Sequence, residues 1–147
     1  MAEFTLHATT SLSYEDALLS VRELLDEAGF GVLTEIDIKA TLKKKLDVDV
    51  QPQIILGACR PQLAHLALLA EPAIAALLPC NVVVRGLDAG GSVVEAIDPD
   101  VMMSVAGVTD QKAAEALREV AADARDRLSR ALDRLPGTDA TTSEGAR

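Results

Sequence analysis

The chain has two cysteines, and each stands at a junction between a predicted strand and a predicted helix. A thiol at such a junction can meet a ligand or a second thiol, whereas a thiol inside a strand usually packs as a small hydrophobe. Cys59 precedes a helix N-terminus and is followed by the cation Arg60, so we expect its pKa to be lowered. We therefore predict a ligand site near Cys59 and Cys80. Pro61 and Asn81 adjoin the two thiols and complete the candidate set, while the alternative is that both cysteines only pack in the core.

A soft metal ion is one occupant that these residue types would suit. His65 lies about one turn into the helix that follows Cys59 and can reach back toward it. With Cys80 and a thioether from Met102 or Met103, such a pair would suit copper(I) or zinc. The spacing of the cysteines matches no zinc ribbon and no dithiol redox motif. The alternative to a metal site is that His65 is exposed and the methionines belong to the core.

Two carboxylates stand close together on a predicted strand. Glu35 and Asp37 are expected to project from one face, with Val32, Thr34 and Ile36 on the other, because side chains alternate along a strand. Such a pair can hold a hard cation, or one carboxylate can raise the pKa of the other for acid–base chemistry. The alternative is a solvated strand face whose charge is balanced by a nearby lysine.

The composition argues against several classes of partner. The 147 residues suit one domain, and their net charge of −9 disfavours nucleic acid and anionic membrane surfaces. Aromatic residues make up 2% of the chain, so few rings are available to stack on bases or flat cofactors. The most apolar stretch, 63–84, is interrupted by Pro72 and Pro79 and predicts no membrane span. Met1–Thr10 alternates like a strand rather than an export signal, so we expect reduced thiols in the cytoplasm.

Hydrophobic periodicity predicts a single α/β (α+β) domain with helices packed on a sheet of about five strands. The segments 81–85 and 92–97 flank a Gly-Gly turn, which predicts at least one antiparallel hairpin. Ser13 is expected to cap the first helix and Gly29 to end it. Residues 1–108 would form the α/β body, 109–135 one long helix, and 136–147 a polar tail without order.

An apolar stripe runs along the predicted last helix. It consists of Leu117, Ala121, Ala124, Leu128, Ala131 and Leu135. This spacing keeps the six side chains on one face of a helix. The stripe predicts either a helix that lies on its own sheet or a helix that joins two subunits, and the sequence does not separate these arrangements.

Four segments of the chain resemble, in their order and spacing, a bacterial and archaeal family, domain-of-unknown-function 302. They are residues 30–42, the two blocks that contain the cysteines (57–61 and 78–84) and residues 97–99. The resemblance covers about residues 4–105 and leaves most of the last helix outside it. It implies a small α/β fold that pairs into homodimers, with no established reaction. Arg60 stands where the resemblance leads us to expect Asn, so no shared role is carried over to it. The positions that match the family pattern are Glu35, Asp37, Lys45, Cys59, Pro61, Pro79, Cys80 and Asn81.

These observations favour a cytoplasmic, homodimeric binding module that holds a small ligand or a soft metal near the two cysteines. The sequence names neither the ligand nor any cofactor. It contains no dinucleotide-binding glycine loop, phosphate-binding loop, nucleophile elbow or Cys-x-x-Cys motif, which weighs against an enzyme. Two alternatives stay open: a thiol-based redox enzyme with Cys59 as the nucleophile, and an interaction scaffold in which the cysteines are only core.

Overall fold

Five strands form one antiparallel sheet in the computed structural model, which describes residues 2–137. Their order across the sheet is β1-β5-β4-β3-β2, so the β4–β5 pair is the predicted hairpin. The predicted α+β architecture, with helices packed on a sheet, is confirmed. In chain order the strands are β1 (Thr5–Thr10), β2 (Gly31–Asp37), β3 (Gln53–Cys59), β4 (Cys80–Gly86) and β5 (Ser92–Ile97).

The helices are α1 (Tyr14–Glu27), α2 (Ile38–Leu46), α3 (Pro61–Ala70), a 3-10 helix (Pro72–Leu77), α4 (Pro99–Ala106) and α5 (Gln111–Asp133). Helices α1, α3 and α5 supply core residues that cover one face of the sheet. Fully buried side chains such as Leu56, Val84 and Leu128 form the main core between the sheet and the long helices. On the opposite face, alternate residues such as Asn81 and Val83 are exposed or half-buried. The sheet therefore has a helix-covered face and an open face.

Local sequence signals account for where the helices begin and end. The Ser13 hydroxyl accepts a hydrogen bond from the Asp16 N–H at 3.1 Å, as the predicted cap requires. Gly29 adopts a φ of +87° just after α1, a conformation that favours glycine at a helix end. Pro61 is the first residue of α3, where its missing N–H costs nothing.

Strand β2 departs from simple alternation at one point. A bulge between Val32 and Thr34 inserts Leu33, so Val32 lies on the helix-covered face and Thr34 on the open face. The prediction that Val32 and Thr34 share a face was wrong, because one extra residue reverses the alternation. Glu35 and Asp37 lie beyond the bulge and do share a face, as predicted.

The apolar stripe of α5 packs on its own domain. All six of its side chains are buried, and α5 contacts α1, α3, α4 and β1. The stripe is therefore not available to a second subunit. No helix within residues 2–137 has the length and apolar character needed to cross a membrane. The predicted disordered tail falls outside the described residues from position 138 onward.

Candidate functional site

Both cysteines line one small cavity between the end of the sheet and helices α3, α4 and α5. Its volume is about 50 Å³, and nearly all the atoms that line it are apolar. Met102 and Met103 also line this space, which we call the thiol cavity. The sequence did not reveal whether the two thiols meet; the fold brings them to the same enclosed volume.

The register of β3 and β4 explains why the thiols converge. Ala58 is paired with Cys80 across these strands, so Cys59 follows immediately beside that pair. Cys80 is buried, whereas Cys59 is half-buried at the point where β3 turns into α3. The methionines reach the cavity from α4, which follows β5 directly after Asp98.

An ion pair fixes the start of α4 against α5. The Arg125 Nε donates to both carboxylate oxygens of Asp98 at 3.2 Å, and Asp98 is 9% exposed. The same carboxylate accepts a hydrogen bond from the Asp100 N–H at 2.9 Å and so caps α4. Sequence reasoning missed Arg125, which lies 27 residues away from Asp98 in the chain. This pair holds the helix that carries the two methionines.

Burial raises the pKa of both thiols. Loss of contact with water is the cause at Cys59. At Cys80, burial and then the neighbouring Cys59 raise the pKa from 9.0 to about 11. The expectation of a lowered pKa at Cys59 was wrong, because desolvation outweighs the helix N-terminus and the adjacent cation. Both cysteines are free thiols and are protonated near pH 7.

Arg60 lines the thiol cavity but also extends over the end of α1. A Cβ atom placed on Gly29 would clash with the Arg60 Nη1, so the guanidinium covers that glycine. The carbonyl groups at this helix end carry a partial negative charge that attracts a cation. The Arg60 Nε is nevertheless buried with no hydrogen-bond partner among the described residues. Arg60 is the one charged side chain in the described lining of the cavity.

Three predicted site residues do not line the thiol cavity. Asn81 follows Cys80 on β4, so it points to the open face and is exposed there. Pro61 and His65 are both exposed on α3. Across residues 2–137, no group of three or more His, Cys, Asp or Glu residues is arranged to hold a metal.

The predicted carboxylate pair is engaged in structural contacts. Glu35 forms an ion pair with Arg22 of α1. Asp37 accepts a hydrogen bond from the Ala40 N–H at 2.9 Å and so caps α2. Both carboxylates are exposed, which fits the interpretation of a solvated strand face.

A wider groove opens on the other face of the sheet. Its volume is about 570 Å³, and Asn81, Val83 and Glu95 are among the residues that line it. Leu78 and Met102 line both this groove and the thiol cavity, so these two side chains form the wall between them.

Comparisons with known proteins agree with this architecture. Residues 6–135 match the model of a family described as domain of unknown function DUF302, and the match includes α5, which the sequence resemblance had left outside. The crystal structure of an uncharacterized conserved DUF302 protein from Bacillus stearothermophilus is similar, with a TM-score of 0.79 and 29% identity over 91% of this chain and 99% of that one. No curated protein matches the chain. Because the family model spans nearly all the described residues, this protein belongs to the DUF302 family.

Proposed function

We propose that this protein is a homodimeric binding module of the cytoplasm that holds a small apolar ligand or a soft metal in the thiol cavity. One observation carries the proposal: two thiols and two thioethers line a single apolar cavity of about 50 Å³. An empty void of that size costs about 1 kcal/mol of stability, which a ligand that fills it would recover.

A thiol-based redox enzyme is the weaker candidate. A nucleophilic cysteine needs a populated thiolate, and burial raises the pKa of both thiols instead. We expect iodoacetamide to label Cys80 in the folded protein about 100-fold or more slowly than a free thiol near pH 7.5. Labelling of Cys59 faster than a free thiol, measured by peptide mass spectrometry, would favour the enzyme.

A homodimer is supported by an unpartnered surface at one end of the sheet. Leu33 and Ile36 of the edge strand β2 are 65% and 47% exposed, and Leu46 at the end of α2 is 65% exposed. None of the α2 side chains is buried by the described residues. A two-fold axis can pair such an edge with its own copy in antiparallel fashion, which would cover this apolar surface. We call the surface formed by β2 and α2 the β2–α2 edge.

A native mass spectrum of the untagged protein, purified with reductant and without chelator, tests both parts of the proposal. We expect extra mass that disappears in Cys59→Ala and Cys80→Ala, and a particle of two subunits. A clean mass in the wild type, together with no rise in Tm on exposure to xenon, would contradict a ligand cavity.

A pair of matched variants tests the number of subunits separately. Leu33→Lys would place like charges together at the two-fold axis, so we expect a monomer that keeps the bound mass. Leu19→Lys is the control, because Leu19 of α1 is similarly exposed at 60% and belongs to neither β2 nor α2. Equal dissociation in both variants would contradict the assignment of the edge.

A further inference from the structure

The thiol cavity gathers nearly all the sulphur of this chain. The sequence contains two cysteines and three methionines. Both cysteines and two of the methionines, Met102 and Met103, line this one cavity. They come from three separate parts of the fold, β3, β4 and α4, so their convergence is a tertiary feature rather than a local motif.

From this convergence we propose that the ligand of the thiol cavity is copper(I), bound by the sulphur atoms of Cys59 and Cys80 with a thioether of Met102 or Met103. The inference rests on the proposed function, since it names the ligand of the same cavity. Thiolate and thioether sulphur are the ligands that select copper(I) among the common metal ions.

The cavity chemistry separates copper(I) from zinc. Zinc sites in proteins use four ligands drawn from cysteine, histidine and carboxylate side chains. The described lining contains two cysteines but no histidine, aspartate or glutamate. The remaining sulphur ligands are thioethers, which suit the softer ion.

The charge of the bound site can be balanced within the cavity lining. When copper(I) binds, each thiol releases its proton to water, and the metal stays in the +1 state, so no electron is transferred. Two thiolates and one copper(I) ion carry a net charge of −1. Arg60 belongs to the described lining, and its guanidinium, which extends from there over Gly29, carries +1 and has no ion-pair partner within residues 2–137. A site that is neutral overall avoids most of the cost of a buried charge.

Both methionines lie between the thiol cavity and a groove through which an ion could enter the cavity. Met102 lines the groove on the open face of the sheet as well as the thiol cavity. Met103 lines a further groove of about 520 Å³ between α4 and α5. Copper(I) arriving from either groove would therefore meet a thioether before it reached the thiols.

The test is a titration of the full chain with copper(I) under reductant, in competition with the chromophoric chelator bicinchoninate. We expect one ion per chain, with affinity lowered about 100-fold in Cys59→Ala or Cys80→Ala and about tenfold in at least one of Met102→Leu and Met103→Leu. The methionine substitutions nearly conserve volume, so they keep the test valid if a cysteine variant fails to fold. His65→Ala is the matched control, because exposed His65 lies outside the cavity and should change the affinity by less than about twofold.

X-ray absorption and xenon binding complete the design. We expect only sulphur neighbours around the copper; nitrogen neighbours, or an affinity that depends on His65, would overturn the proposal. If the chelator strips all copper(I) but xenon shifts the NMR signals of the Met102 and Met103 methyl groups, copper is refuted and the cavity remains a ligand site. If neither copper(I) nor xenon enters, both the copper proposal and the binding function fail.

Discussion

The thiol cavity and the β2–α2 edge are both lined by aliphatic side chains, but the first is largely enclosed and the second is open to water. Around the cavity, α3, α4 and α5 bury their apolar residues, and the thiols are held in the neutral form. Along the edge, Leu33 and Leu46 remain exposed, and Glu35 forms its ion pair in solvent. A buried apolar space excludes hard ions, because removing their water costs several kcal/mol, whereas an open edge suits a macromolecular surface. The same residue types would thus support the two kinds of binding that we propose for this domain.

The largest contrast should come from truncating one leucine in each region. Leu128 of α5 is 1% exposed in the core, so we expect Leu128→Ala to lower the free energy of unfolding by about 3 kcal/mol. Leu46→Ala at the β2–α2 edge should change it by less than about 0.5 kcal/mol in the monomer. Urea unfolding at low protein concentration measures both. Equal losses of unfolding free energy in the two variants would contradict the distinction between a covered and an open region.

The next effect is a pH dependence of stability that arises at the Cys80 thiol in the cavity. The pKa of Cys80 is raised from 9.0 to about 11 by folding. Between these pH values the unfolded chain has released the thiol proton and the folded chain has kept it, so stability is fully present below pH 9 and falls as the pH rises. We expect a loss of about 2 to 3 kcal/mol between pH 9 and 11.

Urea unfolding from pH 8 to 11 measures this loss, and Cys80→Ala should remove most of it. The background is Tyr14→Phe in both proteins, because burial and the nearby Asp37 also raise the pKa of Tyr14. An unchanged pH profile in the Cys80→Ala protein would contradict the burial of the thiol in solution.

A smaller effect should follow from releasing α4. Arg125→Ala leaves Asp98 without its ion-pair partner, and because Asp98 is nearly buried we expect a loss of about 1 to 2 kcal/mol. Arg130→Ala removes a pair with Asp126 on the exposed side of the same helix, where both side chains are more than half exposed. Its cost should stay below about 0.5 kcal/mol, and thermal unfolding of both variants compares them. A cost for Arg130→Ala as large as for Arg125→Ala would contradict the anchoring role.

The smallest effects are expected at the two carboxylates of the edge. Asp37→Ala removes the cap of α2 and should cost about 1 kcal/mol. Glu35→Gln weakens a pair in which the Glu35 side chain is 49% exposed, so the loss should be below about 0.5 kcal/mol. Tm measurements with and without added Mg²⁺ or Ca²⁺ test whether the two carboxylates bind a cation. A rise in Tm with either ion, abolished by Asp37→Ala, would restore these residues as a cation site.

Predictions that depended on neighbours in the chain were the accurate ones. The Ser13 cap, the Gly29 helix end and the β4–β5 hairpin all depend on a few consecutive residues. The candidate site was predicted less well. Cys80 and Asn81 were assigned to one site, although adjacent residues of a strand point to opposite faces of the sheet. The pKa of Cys59 was misjudged because the helix dipole is visible in a sequence and the extent of burial is not.

The sequence by itself determined the class of the domain and the types of its elements, and it singled out the two cysteines as the basis of a predicted ligand site. Periodicity, caps and turn residues carry that information because they act over a few positions. Only the tertiary structure decided that α5 buries its stripe on its own sheet, that the Leu33 bulge reverses the faces of β2, and that Met102 and Met103 join the thiols. These outcomes depend on strand order, register and helix packing between distant segments, and no local pattern in the chain encodes them.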